Sequence, residues 1–127
     1  MPEYDSTHFS PAAPVAVGSV RHAPTGVVFH NVELLMDTGA EVTLLPQAVI
    51  EDLGISLDTA PRYELMGFDG TRSSSPAVDL DLLLLGKTFR GRFLVVPDSR
   101  GILGREILNH LALLLDGPRR EWSEHRA

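Results

Sequence analysis

The residues most able to do chemistry stand in the stretch LLMDTGAEVTLLP, residues 34–46. An apolar run breaks at Asp37, passes through a short polar turn (Asp37, Thr38, Gly39) and resumes at Val42. A carboxylate between two segments that both read as buried is expensive unless it is paired, hydrogen-bonded or retained for acid–base work. Taken alone, Asp-Thr-Gly is a weak signal, because an Asp in such a turn commonly caps its own backbone.

The other reactive side chains offer less. Gly-Lys-Thr at 86–88 would open a phosphate loop only with a glycine five positions earlier, where this chain has Asp81, so it reads as a hairpin turn. His8, His22, His30, His110 and His125 show no metal-ligand spacing. Asp79 and Asp81 alternate along a strand and read as its wet face, not as ligands of a hard cation. The serines at 73–75 lack the strand-to-helix elbow of a serine hydrolase. Without any cysteine there is no disulfide, thiolate zinc site or Cys nucleophile.

The elements that must position Asp37 follow from the pattern of apolar residues. Val15 to His22 and Val27 to Met36 read as two strands joined at the Ala-Pro-Thr-Gly turn (23–26), the second delivering Asp37 to its end. A short strand over Val42 to Leu45 precedes a helix opened by Pro46 and stopped at Gly54. Tyr63 to Pro76 forms a hairpin around a two-residue Asp69-Gly70 turn and projects into solvent. Val78 to Leu85 and Thr88 to Val96 form another. A second apolar-to-glycine break at Leu103-Gly104 leads into a helix over Arg105 to His110, a strand ending at the Asp-Gly-Pro turn (116–118) and a last strand over 120–125.

The chain has 127 residues, enough for one domain, so a site built from two lobes needs a second chain. The formal charge of −6 is the wrong sign for a nucleic-acid surface. No segment reaches the about 20 apolar residues of a membrane span, and the N-terminal residues carry no secretion signal, so no membrane partner and a cytoplasmic location are expected. Residues 1–14 read as a flexible N-terminal arm, 15–118 as the domain and 119–127 as a C-terminal strand or tail.

In this order, LLMDTGAEVTLLP, the hairpin MGFDGT (66–71) and ILGREILN (102–109) with its downstream LLLDGP (113–118) resemble the retroviral-type, or retropepsin-like, aspartic proteases, and among them the bacterial single-domain members. The resemblance covers about residues 15–118. It implies an all-β fold: a closed β-barrel lobe with a flap hairpin and one or two short helices. It further implies a homodimer acting on a peptide or protein substrate, with no cofactor and no metal, in which Asp37 of each chain joins a catalytic dyad sharing a proton.

By matching position, the resemblance gives the neighbours roles. Thr38 hydrogen-bonds across the dimer, Gly39 leaves room for substrate backbone and Ala40 lines the cleft. Gly104 passes beneath the Asp37 turn, and Arg105 pairs with Glu41. Gly67, Phe68, Asp69, Gly70 and Thr71 form the substrate-binding flap, less glycine-rich than the retroviral pattern and carrying the charge of Asp69. Ala40 supplies no hydroxyl to the ionised dyad, which implies an only mildly acidic pH optimum. Retroviral relatives interleave both termini in their dimer, whereas here the tails are longer and polar, with Trp122 their one large apolar contact. The competing reading is a dimeric peptide-binding or scaffold module that keeps the fold and cleaves nothing, but such a module has no use for an awkward paired carboxylate.

Overall fold

A computed structural model of the chain describes residues 2–67 and 69–125. Nine strands and two short helices follow one another as β1 (Val15–His22), β2 (Val27–Met36), β3 (Leu44–Pro46), α1 (Gln47–Asp52), β4 (Arg62–Met66), β5 (Arg72–Leu84), β6 (Lys87–Val96), β7 (Gly101–Leu103), α2 (Arg105–Leu108), β8 (Leu113–Asp116) and β9 (Glu121–Glu124). The main sheet runs β1-β2-β7-β3-β6-β5-β4, and β1 pairs again with β5, closing six strands into a barrel from which β4 stands out. The expected all-β barrel with a projecting hairpin is therefore present.

Each element has a local cause. β1 and β2 pair antiparallel from Val15↔Leu35 to His22↔Val27, and their inward residues Ala16, Val20, Val32 and Leu34 are almost wholly buried. Helix α1 ends in a Schellman motif: Gly54 takes φ +78°, its N–H donates to the Glu51 carbonyl at 2.9 Å, and the Ile55 N–H reaches the Ile50 carbonyl at 3.3 Å. Only glycine takes that φ without strain, which is why the helix stops there.

The β4–β5 hairpin differs from the expected two-residue turn. Met66 still pairs with Arg72, and the Gly67 N–H donates to the Thr71 carbonyl at 2.8 Å, so three residues span the tip. Gly70, at φ +83°, supplies the left-handed residue that ends a loop of this length. The Thr71 N–H donates to Asp69 Oδ1 at 2.9 Å, and with the Thr71 hydroxyl it holds the Asp69 carboxyl below the usual range.

Asp81 is not on a wet face. It is 1% exposed, and its β5 position lies between Arg21 of β1 and Arg90 of β6, its register partners on either side. Arg21 donates to Oδ2 through Nε and Nη2 at 3.1 and 2.8 Å, while Arg90 Nε donates to Oδ1 at 3.0 Å. The bonds from Arg21, then Arg90, lower the Asp81 pKa despite its burial. One carboxylate thus bridges three strands at the seam where the barrel closes.

The terminal segments pack against the barrel, and the last strand expected over 120–125 is β9. Residues 2–14 do not run free: Tyr4 N–H donates to the Arg120 carbonyl at 2.8 Å, Glu3 bridges Glu121, and Met36 N–H donates to the Pro14 carbonyl at 3.1 Å. Trp122 is 3% exposed within the barrel's own core, and its indole N–H donates to the Val15 carbonyl at 3.2 Å, so it offers no surface to a partner. The folded unit therefore includes the described residues on both sides of 15–118. Among the described residues no helix is long and apolar enough to cross a membrane.

Replacing Asp81 by Asn leaves two guanidinium groups facing an amide. We expect a loss of about 2–3 kcal/mol at neutral pH, below the full cost of a shielded pair because Arg90 is largely exposed. Because the folded carboxyl titrates below its ordinary value of 3.8, the stabilisation is complete above that pH and disappears as the pH falls through the folded value. Urea unfolding of both proteins should show a constant gap from pH 7 to about pH 5 and a narrowing one below about pH 4. An equal stability at pH 7 would refute the bridge.

Candidate active site

The site begins with a strand too short to stand alone. Gly101, Ile102 and Leu103 of β7 pair parallel with Leu34, Leu35 and Met36 of β2, and Ile102 pairs with Leu44 of β3. The Asp37 N–H continues the ladder by donating to the Leu103 carbonyl at 3.1 Å. This ladder fixes where β2 ends, and the polar turn begins at the next residue.

Within the turn, the Gly39 N–H donates to Asp37 Oδ1 at 2.9 Å and the Ala40 N–H to the Asp37 carbonyl at 3.2 Å. The first bond is the ordinary cap of an Asp turn, yet it occupies only one carboxylate oxygen. Asp37 is half-buried and faces a cleft of about 870 Å³ with Gly39, Ala40 and Glu41. Thr38 is exposed, and its hydroxyl has no hydrogen-bond partner among the described residues.

Gly104 is buried beneath the chain that leaves this turn. A Cβ there would lie 2.5 Å from the Val42 carbonyl carbon and 2.9 Å from the Thr43 nitrogen, too close for any side chain. The backbone above it is that of Val42 and Thr43, not that of the Asp37–Gly39 turn. The Arg105 N–H then donates to the Ala40 carbonyl at 2.9 Å.

The expected Arg105–Glu41 pair does not form. Arg105 Nη1 donates instead to the Thr38 carbonyl at 2.7 Å, and no ion pair joins it to Glu41 among the described residues. Thr38 and Glu41 are both exposed, so the guanidinium takes the carbonyl within its reach while the Glu41 carboxylate keeps its water.

Two residues without an expected role complete the floor. The Glu106 carboxylate accepts the Thr43 N–H at 2.7 Å and the Thr43 hydroxyl, while that hydroxyl accepts the Gly104 N–H at 3.0 Å. This is why β3 starts at Leu44 and not at Val42: the Thr43 N–H is spent on a carboxylate. A threonine buried at 1% within an apolar run, with a glutamate two residues after a conformationally required glycine, is the signal that sequence reading could have used.

The hairpin closes the cleft from the other side. Tyr63, Glu64, Leu65, Met66 and Gly67 line it opposite Val42, Leu44 and Leu94, with Arg92 between. Of the expected flap residues that the structure describes, only Gly67 reaches the lining. Asp69, Gly70 and Thr71 sit at the exposed tip, and Phe68 lies outside the described residues.

A different cluster, Asp5, His8 and Glu33, brings three possible metal ligands within 4.8 Å of one another. Its members are engaged by protein: Asp5 accepts the N–H groups of Thr7 and His8 and faces His8 Nδ1 at 2.9 Å, and Glu33 accepts Arg100 Nε at 2.9 Å. It is a capped turn pinned to β2.

Comparison with known proteins agrees with this geometry. A family model described as aspartyl protease matches residues 12–107. A search of curated proteins finds no sequence match. Among solved structures, EIAV protease complexed with the inhibitor HBY-793 superposes with a TM-score of 0.58 at 20% identity, covering 84% of this chain and 91% of that one. At such identity the superposition speaks for the fold.

The floor predicts two outcomes. Gly104→Ala should cost several times more stability than Gly91→Ala, because a Cβ at Gly91 meets nothing within 4 Å; equal melting temperatures for the two variants would contradict the packing. In a double-mutant cycle, Thr43→Val and Glu106→Gln should couple by more than about 1 kcal/mol, while Arg105→Ala and Glu41→Ala should be additive within about 0.5 kcal/mol. The reverse ordering would restore the pair the structure lacks.

Proposed function

The chain belongs to the aspartyl protease family and is an aspartic endopeptidase, and we propose that it works as a homodimer whose dyad is Asp37 of each chain. The observation that carries this reading is the Asp37 turn itself: a carboxylate with one oxygen capped, lining the cleft beside the hairpin, in a chain holding a single Asp-Thr-Gly. One lobe provides one carboxylate. The second must come from another copy.

Two carboxylates facing each other cannot both ionise readily, so the pair holds one proton between them. The ionised Asp37 takes a proton from water as the water oxygen bonds to the substrate carbonyl carbon. Asp37 of the partner subunit gives its proton to the carbonyl oxygen, forming a neutral diol. Collapse of the diol breaks the C–N bond, a proton passes to the leaving nitrogen, and the dyad again holds one proton. The Gly39 N–H holds one Asp37 oxygen in place throughout, and the free Thr38 hydroxyl is available to the partner's backbone.

The interface we propose follows β8. One edge of β8 pairs with β9, and the far side of β9 is taken by the N-terminal segment through Glu3 and Tyr4. The other edge of β8 carries no backbone pairing among the described residues, and Leu114 and Leu115 are each 51% exposed beside it. Leu115 pairs with Trp122, Trp122 bonds to Val15, and Val15 pairs with Leu35, two residues before Asp37. A second copy added along β8 therefore lies next to the strand that ends in the dyad.

Asp37→Asn should abolish cleavage of a denatured protein substrate between pH 4 and 7 while the circular dichroism spectrum and sedimentation behaviour stay those of the parent. Retained cleavage would refute the dyad. Leu114→Lys with Leu115→Lys should shift the sedimenting species to monomer and remove activity at concentrations where the parent is active; a fully active monomer would refute the two-chain site.

A further inference from the structure

Among the described residues, Arg92 is the only cationic side chain lining the cleft that contains Asp37. It stands on β6 opposite Asp79 of β5, and its guanidinium is held from two sides: Nε donates to Asp79 Oδ1 at 3.0 Å and Nη1 to Tyr63 Oη at 2.9 Å. Tyr63 belongs to β4, the base of the flap. The two bonds use two of the five N–H donors of a guanidinium and fix its plane, leaving three donors already oriented.

The charge is not cancelled where it meets the cleft. Asp79 is 75% exposed, so water screens most of its attraction for a half-exposed partner. The other charged groups in the cleft, Asp37, Glu41 and Glu64, are carboxylates, and Glu64 is engaged by Arg72 at 3.4 Å. A substrate carboxylate is thus repelled along most of the cleft and welcome at one place. Beside Arg92 lie Leu65 and Leu94, which accept the methylenes of a glutamate as its head reaches the guanidinium.

We propose that Arg92 is a specificity-determining residue that selects substrates with an acidic side chain in the subsite against the flap base. This rests on the endopeptidase reading above. A guanidinium fixed before substrate arrives loses little freedom on binding, so its contact with carboxylate is worth more than that of a free surface arginine.

The test uses peptide pairs identical except for Glu or Gln, placed in turn at each position within about four residues of a cleaved bond. At one position the wild-type protein should favour Glu by about tenfold or more in kcat/KM, the factor a single charge-assisted hydrogen bond supplies. Arg92→Gln should bring that ratio close to one, and Arg92→Glu should turn the preference toward Lys at the same position. The same pairs are titrated into the Asp37→Asn variant, so that the ratio is also read as Kd without turnover. If Arg92 only braces the flap, its substitution lowers kcat/KM for both peptides alike and keeps the ratio, which overturns the proposal, as does a wild-type protein indifferent to Glu at every position. A Glu preference in binding without cleavage of any peptide would keep the subsite and sink the endopeptidase reading instead.

Discussion

The architecture depends on one close approach: the backbone at Gly104 lies against the backbone of Val42 and Thr43 with no room for a side chain between them. The contact brings together segments about 60 residues apart, and it lets a set of hydrogen bonds converge on the Asp37 turn. Leu103 fixes its start, Arg105 fixes its middle through the Thr38 and Ala40 carbonyls, and Glu106 fixes its exit through Thr43. Buried backbone groups must find partners, and a floor this tight leaves them no water to use. Beyond its own internal bonds, the turn is therefore braced by the run from Leu103 to Glu106.

Two aspartates show how the same side chain serves opposite ends. Asp81 has both oxygens taken by guanidinium groups from the strands on either side, which makes it chemically inert and mechanically useful at the barrel seam. Asp37 receives one N–H on one oxygen and nothing more from the described residues. The number of donors aimed at a carboxylate decides whether it holds a structure together or remains open to react. Sequence context alone does not separate them, since both interrupt apolar runs.

Legibility followed the range of the forces involved. β1 and β2 were readable to the residue because alternation, a glycine turn and β-branched side chains are local signals, and the stop of α1 at Gly54 is set by one residue's φ. Asp37 was readable because a charge between apolar strands is anomalous at the level of sequence. What escaped depends on tertiary placement. Asp81 has the spacing of a wet-face residue, and only barrel closure brings Arg21 to it from 60 positions away. Trp122 lies in a polar tail by composition, yet the core had a space for an indole whose N–H could reach Val15. The Arg105–Glu41 pairing rests on matching position in the resemblance, whereas in the structure Arg105 donates to the exposed Thr38 carbonyl and the exposed Glu41 retains its solvation.

The flap shows how such a lobe divides rigidity from motion. The Asp37 turn is braced by backbone contacts to the barrel floor, but the β4–β5 hairpin beyond Pro76 is attached mainly by its own ladder, and its strand residues are largely exposed. Few buried apolar contacts hold it down, so its opening costs little compared with unfolding the barrel. Arg62 ties β4 to Ser74 within the hairpin, which stiffens it as a unit without anchoring it, and Arg92 through Tyr63 is the side-chain hydrogen bond from the hairpin base to the barrel wall. A cover stiff within itself and lightly held is the kind of element that can lift as one piece, and the bond from Arg92 at its base puts the one cation among the described cleft residues where such an element joins the wall.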